Sequence, residues 1–167
     1  PLKMNGILSG HIAVKNEYGN PLVTSDLEAD DFALNDQFFG NTMIRADWLR
    51  SEQELDMRIA NRSDSASAID LRGRFNPFSK SLDMQLDLSM IGLQTLQPFT
   101  QGILDEVEGT MDLGLGLSGT LNAPLVNGYV ALENASATIS KTRTRYTTSD
   151  AIRISDNDIY LDAFNVR

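Results

Sequence analysis

The sequence predicts a mainly β chain built as an antiparallel meander. Three observations predict it. Side-chain character alternates with a period of two along most of the length, turn-forming clusters interrupt the alternating runs at hairpin spacing, and only one segment carries apolar residues at helical spacing.

In chain order, Leu2, Met4, Gly6, Leu8, Gly10, Ile12 and Val14 alternate with Lys3, Asn5, Ser9, His11 and Lys15, and only Ile7 and Ala13 spoil the split. Successive side chains of a strand point to opposite faces, so this run has one apolar and one polar face. Val23, Leu27 and Ala29 share a parity that flips at Asp30–Asp31 to give Phe32 and Leu34, which predicts a bulge. Ile44, Ala46 and Trp48 come next, then Leu55, Met57 and Ile59 against Glu54, Asp56 and Arg58. Ile69, Leu71 and Phe75 oppose Asp70, Arg72 and Arg74. Leu82, Met84, Leu86, Leu88 and Met90 alternate cleanly with Ser81, Asp83, Gln85, Asp87 and Ser89. Val107, Met111, Leu113, Leu115, Leu117 and Leu121 continue the pattern, then Val126, Val130 and Leu132, with short pieces at Ile152–Ile154 and Ile159–Leu161.

Turns are predicted at Glu17–Pro21, Asn61–Asp64, Asn76–Pro77, Asn122–Pro124 and Ser155–Asp158, all rich in Gly, Pro, Asn, Asp or Ser. Roughly ten strands result. The exception is the stretch from Leu93 to Val107, where apolar residues fall at 93, 96, 99, 103, 104 and 107. That spacing predicts one short helix near 93–106, of about two to three turns given Pro98 and Gly102, with its stripe against the apolar face of the sheet.

Composition removes whole classes of function. Lys and Arg total 14 against 23 Asp and Glu, a net charge of −9 and a pI near 4.5, which argues against a nucleic-acid partner. There is no cysteine and one histidine, so thiolate chemistry, Cys-based zinc and any two-imidazole site are excluded. No apolar run is long enough to cross a membrane as a helix, and no signal-peptide pattern is present. The chain reads as one β-rich domain over residues 1–167, a piece of a longer repeat protein, divisible into sub-units 1–90 and 107–167 joined by the helical segment 91–106. An internal echo supports the repeat. Ser9–Gly10, then Pro21–Leu22–Val23, Leu27 and Ala29, is matched by Ser118–Gly119, then Pro124–Leu125–Val126, Val130 and Leu132.

Every strand offers an apolar face, and one short helix is too little to cover them all. The sheet must close as a barrel, flatten as a sandwich or curl as an open trough, and alternation alone does not separate these. Gly6, Gly10, Gly109 and Gly119 share the apolar parity, and few aromatics are available to fill a wide interior.

The stretch GTMDLGLGLSGTLNAPLVNGYVALENASATI, from Gly109 to Ile139, resembles the repeating motif of the TamB family within the AsmA-like group. It has the alternating Gly-Leu strand, a small-residue–Gly pair, a nearby Pro, and Gly-x-Val-x-Leu-x-Asn from Gly128 to Asn134. Tyr146, Ile152–Arg153–Ile154 and Asn157–Leu161 are similar to that family's ending, and the Leu93–Phe99 segment to its preceding helix. The likeness covers residues 90–167 closely and 1–80 in pattern only.

The resemblance implies an open U-shaped trough, a β-taco, with an apolar inner face. It implies a periplasmic location in a diderm bacterium, with an inner-membrane anchor and an outer-membrane partner of the Omp85 class bound through regions outside this stretch. It further implies phospholipid or membrane-protein β-strands as cargo, in lipid transport between membranes or outer-membrane protein assembly, with no cofactor and no catalysis. The anchor and the partner-docking terminus have no counterpart in this sequence. The expected lipid-groove lining is Leu8, Ile12, Ile44, Trp48, Leu55, Met57, Ile59, Leu71, Leu82, Met84, Leu86, Leu88, Leu113, Leu115, Leu117, Val130 and Leu132. The alternative is a closed β-sandwich or solenoid with a structural or adhesive role.

Chemical readings of individual residues are weaker than their plain ones. His11 falls on the polar parity as an isolated imidazole. Asp156–Asn157–Asp158 lacks the remaining ligands of a calcium loop and reads as a turn. Asp105, Glu106 and Glu108 read as a solvated edge near the helix end. Lys141, Arg143 and Arg145 alternate and are expected on one face of a strand, as edge charges or contacts to phosphate. Met84, Met90 and Met111 are expected to line the apolar face. Gly114-Leu-Gly116-Leu-Ser-Gly119 has dinucleotide-motif spacing, but strand alternation and a Pro occupy the positions where that motif requires a helix.

Overall fold

A computed structural model describes residues 3–17, 20–61 and 67–167. The start at Leu2 and the turn centres at Tyr18–Gly19 and Arg62–Asp64 lie outside the described residues. Eleven strands form one antiparallel sheet: β1 (Met4–Glu17), β2 (Asn20–Leu34), β3 (Gln37–Leu49), β4 (Glu54–Asn61), β5 (Ala68–Phe75), β6 (Ser81–Gly92), β7 (Leu104–Thr120), β8 (Ala123–Ile139), β9 (Thr144–Thr148), β10 (Ala151–Ser155) and β11 (Asp158–Tyr160). Their order is β1-β2-β3-β4-β5-β6-β7-β8-β10-β11, with β9 also on β8, and the sheet is not closed into a barrel. The echo corresponds to two long hairpins, β1–β2 and β7–β8.

Local chemistry sets the hairpins. Asn35 and Asp36 take φ of 47° and 66° between β2 and β3, a turn that suits the twist of the flanking strands. The Asn76 side chain accepts hydrogen bonds from the N–H groups of Phe78 and Ser79, closing the turn after β5. Asp156 and Asn157, with φ of 52° and 71°, turn β10 into β11.

The predicted bulge at Asp30–Asp31 is present: the β2–β3 register shifts between Ala29 and Phe32, with Asp31 at φ 52°. Three more residues play the same part, Met90 in β6, Glu106 in β7 and Asn134 in β8, with φ of 56°, 49° and 49°. Each inserts one residue and so reverses which parity faces which side. Met90 is therefore not on the apolar face with Met84. It is 48% exposed, and Ile91 and Leu93 take the buried side after it.

The helix is shorter than its spacing predicts. A 3₁₀ turn, Leu93–Leu96, runs into a single α-helical turn, α1 (Gln97–Thr100). Gly102 at φ 80° and a hydrogen bond from Ile103 N–H to the Thr100 carbonyl end it, and β7 begins at Leu104. Leu93 is buried, but Phe99 and Ile103 are each 65% exposed, so only the first part of the stripe packs on the sheet.

The core is small and sits at one end. Phe39, Ile91, Leu93, Val107, Met111 and Ala135 form it, with Phe32, Leu34, Ile69, Leu88 and Leu132 among the side chains against them. A compact chain of this mass exposes about 8,200 Å². This one exposes 10682 Å². The excess is the signature of a sheet with little packed on it.

Candidate functional site

The strand register determines which side chains meet across the sheet. One row reads Gly10–Leu27–Ile44–Ile59–Leu71–Leu86–Leu115–Gly128–Ile154–Ile159, each residue directly opposite the next. It crosses ten strands without a polar side chain. Nine inter-strand spacings make it about 43 Å long. Beside it runs Ile12–Ser25–Ala46–Met57–Gly73–Met84–Leu117–Val126, and beyond that Trp48–Leu55–Phe75–Leu82–Gly119–Pro124. On the other flank Leu8 pairs with Ala29, and Leu88–Leu113–Val130 with Ile152. Leu132 lies opposite Met111. The register thus brings all seventeen expected residues to one face, where most are half-buried and Leu8 and Ile12 are 60% and 56% exposed.

The opposite face is charged. His11–Asp26–Arg45–Arg58–Arg72–Gln85 is its central row. Arg45 pairs with Asp26 at 3.1 Å, Arg58 with Asp70 at 3.4 Å and Arg72 with Asp87 at 3.8 Å. Like charges directly opposite destabilise a sheet, and the interleaved carboxylates offset that repulsion here.

At one end the apolar face is sealed. The Gly92 N–H donates to the Gln37 side chain at 2.9 Å, Gln37 donates to Ser67 Oγ, and Ser67 donates to the Met90 carbonyl at 2.9 Å. Asn61 donates to the carbonyls of Phe39 and Ser67, and Asn35 to that of Thr95. In a flat sheet β3 and β6 lie three spacings apart, about 14 Å. Here, beyond the last paired residues of β4 and β5, one glutamine side chain joins them. Sequence reasoning missed this clasp, since Asn35, Gln37 and Ser67 carry no periodic signal.

The basic and acidic clusters are placed differently from expectation. Lys141 and Arg143 lie in the β8–β9 turn, where Arg143 has φ 57°, and only Arg145 is in a strand. Glu106 and Glu108 lie on β7, not a helix end, and both pair with Arg145, at 3.8 and 2.6 Å. Arg145 also donates to Ser136 Oγ. Glu108, Ser136 and Arg145 border a polar cleft of about 680 Å³ with Thr147, Ser149, Asp150, Asn165 and Arg167; Glu108 and Arg145 engage each other there, and the Asp150 carboxylate accepts from the Asn165 N–H. Among the described residues no three metal-ligating side chains gather. Comparison with family models, curated proteins and solved structures yields no match to this chain.

Proposed function

We propose that the chain is a segment of an open U-shaped trough in a periplasm-spanning protein, whose apolar face carries phospholipid acyl chains between inner and outer membranes, supports outer-membrane protein assembly, or both. The observation that carries this reading is the unbroken apolar row from Leu27 to Leu115, on a face that has no covering layer among the described residues beyond the core at one end. Curvature is supported by the bulges in β2, β6, β7 and β8, and by strand glycines such as Gly128 at φ 149°, devices that bend sheets. The resemblance of Gly109–Ile139 to the TamB family supports the same reading.

The energetics suit a conduit. Burying a CH₂ group is worth about 0.8 kcal/mol, so a sixteen-carbon chain on this face gains on the order of 10 kcal/mol gross. A bilayer offers it a similar amount. A path that is near-isoenergetic with membrane lets lipid pass along it, whereas a deep well would retain it.

Native mass spectrometry of the purified chain tests the proposal, with and without Leu86→Arg. The expected result is phospholipid bound to the wild type and absent from the variant, with circular dichroism unchanged. A closed structural module gives the opposite: no lipid on the wild type, and unfolding on placing arginine in its core.

A further inference from the structure

The two edges of the sheet are chemically opposite. β1 bounds it on one side and β11 on the other, and no strand among the described residues pairs with the outer edge of either. From Lys3 to Asn16 the sequence has two lysines and no carboxylate, in a chain of net charge −9. From Ser155 to Asp162 it has three aspartates and no cation. Between Ile7 and Lys15 β1 carries neither a proline nor a register shift, two devices that blunt an edge. Both edges keep the division of faces. On β1, Ile12 and Val14 lie on the apolar face and Lys15 on the charged one. On β11, Ile159 stands opposite Ile154 on the apolar face, and Asp158 is on the charged one. Asp162 pairs with Arg153 on that charged face, so the alternation carries Leu161 to the apolar side. Val14 and Ile159 are each 68% exposed. Ten strands lie on the path from β1 to β11, every neighbour antiparallel, so the two edge strands point in opposite directions.

From this we infer that the protein associates head to tail with a second copy of itself, β11 of one copy adding to β1 of the next, with Ile159 opposite Val14 and Leu161 opposite Ile12. A copy set alongside in the same orientation brings its β1 antiparallel to β11, as strand addition at this edge requires. In that register Asp158 faces Lys15, and every side chain stays on its own side of the enlarged sheet. Opposite charges directly across a strand pair are favourable and like charges are not. Pairing β1 with β1 would bring lysines together without a carboxylate, and pairing β11 with β11 would gather aspartates, so the charges select the mixed contact. The contact is heterologous and leaves one edge of each kind free at the ends, so it builds open chains in which the apolar face passes from copy to copy. It stands whether or not acyl chains occupy that face.

The chain has no cysteine, so introduced cysteines report the contact directly. Purified Ile12→Cys and Leu161→Cys chains are treated with a short bismaleimide, separately and mixed. Cross-linked dimer is expected from the mixture and not from either variant alone. Sedimentation velocity of the unmodified chain is expected to show association that rises with concentration and weakens at high salt. Lys15→Glu and Asp158→Lys, both at exposed positions, are each expected to weaken it about tenfold with circular dichroism unchanged, and the two together to restore it. A monomer at every concentration overturns the inference. So does Ile12→Cys cross-linking to itself as readily as to Leu161→Cys, which would mean β1 paired with β1. A double variant as weak as the single ones overturns the facing of Asp158 and Lys15.

Discussion

The Gln37 side chain accepts a hydrogen bond from the Gly92 N–H at 2.9 Å, tying β3 to β6 across 55 residues of sequence, beyond the last paired residues of β4 and β5. It gives the open sheet one fixed, closed end. Gln37→Leu removes the acceptor for Gly92 and a partner of Ser67 while keeping bulk. The expected cost is about 2 kcal/mol, a fall in Tm of about 4–8 °C on thermal denaturation. An unchanged Tm would show that the clasp is incidental.

The bulge at Met90 decides which way the residues after it face. Deleting Met90 takes the inserted residue out and leaves Ile91 and Leu93 in regular alternation after Leu88, still on the buried side, so the change in stability is expected to stay within about 1 kcal/mol. Hydrogen exchange in residues 93–111 should then be little changed, and a marked quickening would show that the bulge itself is needed to bury them. Met90→Gly keeps the inserted residue and its positive φ, and should be neutral or slightly stabilising.

Gly128 has φ 149°, and a Cβ there would overlap the Gly114 carbonyl oxygen on β7. Gly128→Val is expected to destabilise by at least about 2 kcal/mol, read by chemical denaturation. Gly102→Ala tests strain alone, since nothing lies near that position and only its φ of 80° opposes the change. It should cost about 1 kcal/mol.

Arg145 bridges Glu106 and Glu108 above the buried hydroxyls of Ser136 and Thr138. Arg145→Met should cost about 1 kcal/mol at low salt. The Tm difference from wild type should shrink in about 1 M salt, where the ion pairs are screened. A difference independent of salt would assign the effect to packing of the arginine stem.

Much of this fold is legible in the sequence because a period of two is a local signal. Leu82 to Leu88 announce their face unaided, and the parity flip at Asp30–Asp31 marks its bulge directly. The apolar spacing over 93–107 overstates the helix for a related reason. A bulge adds one residue to an alternating strand, so Leu104 and Val107, either side of Glu106, fall three apart and mimic a helical turn. Lys141 and Arg143 mislead oppositely, since two alternating charges look the same in a turn as in a strand. The Gln37–Ser67–Asn61 clasp is not legible at all. Its members meet only because the chain returns on itself, and no spacing encodes that.

The central claim is that the row through Leu86 and Leu115 faces hydrocarbon in the working protein. Photo-crosslinking tests it most directly, with benzoylphenylalanine substituted at Leu86, at Leu115 and, on the charged face, at Arg72, in cells making the full-length protein. The account expects phospholipid adducts from Leu86 and Leu115 and none from Arg72. Good expression with no adduct at either leucine, or equal adducts from both faces, would contradict it.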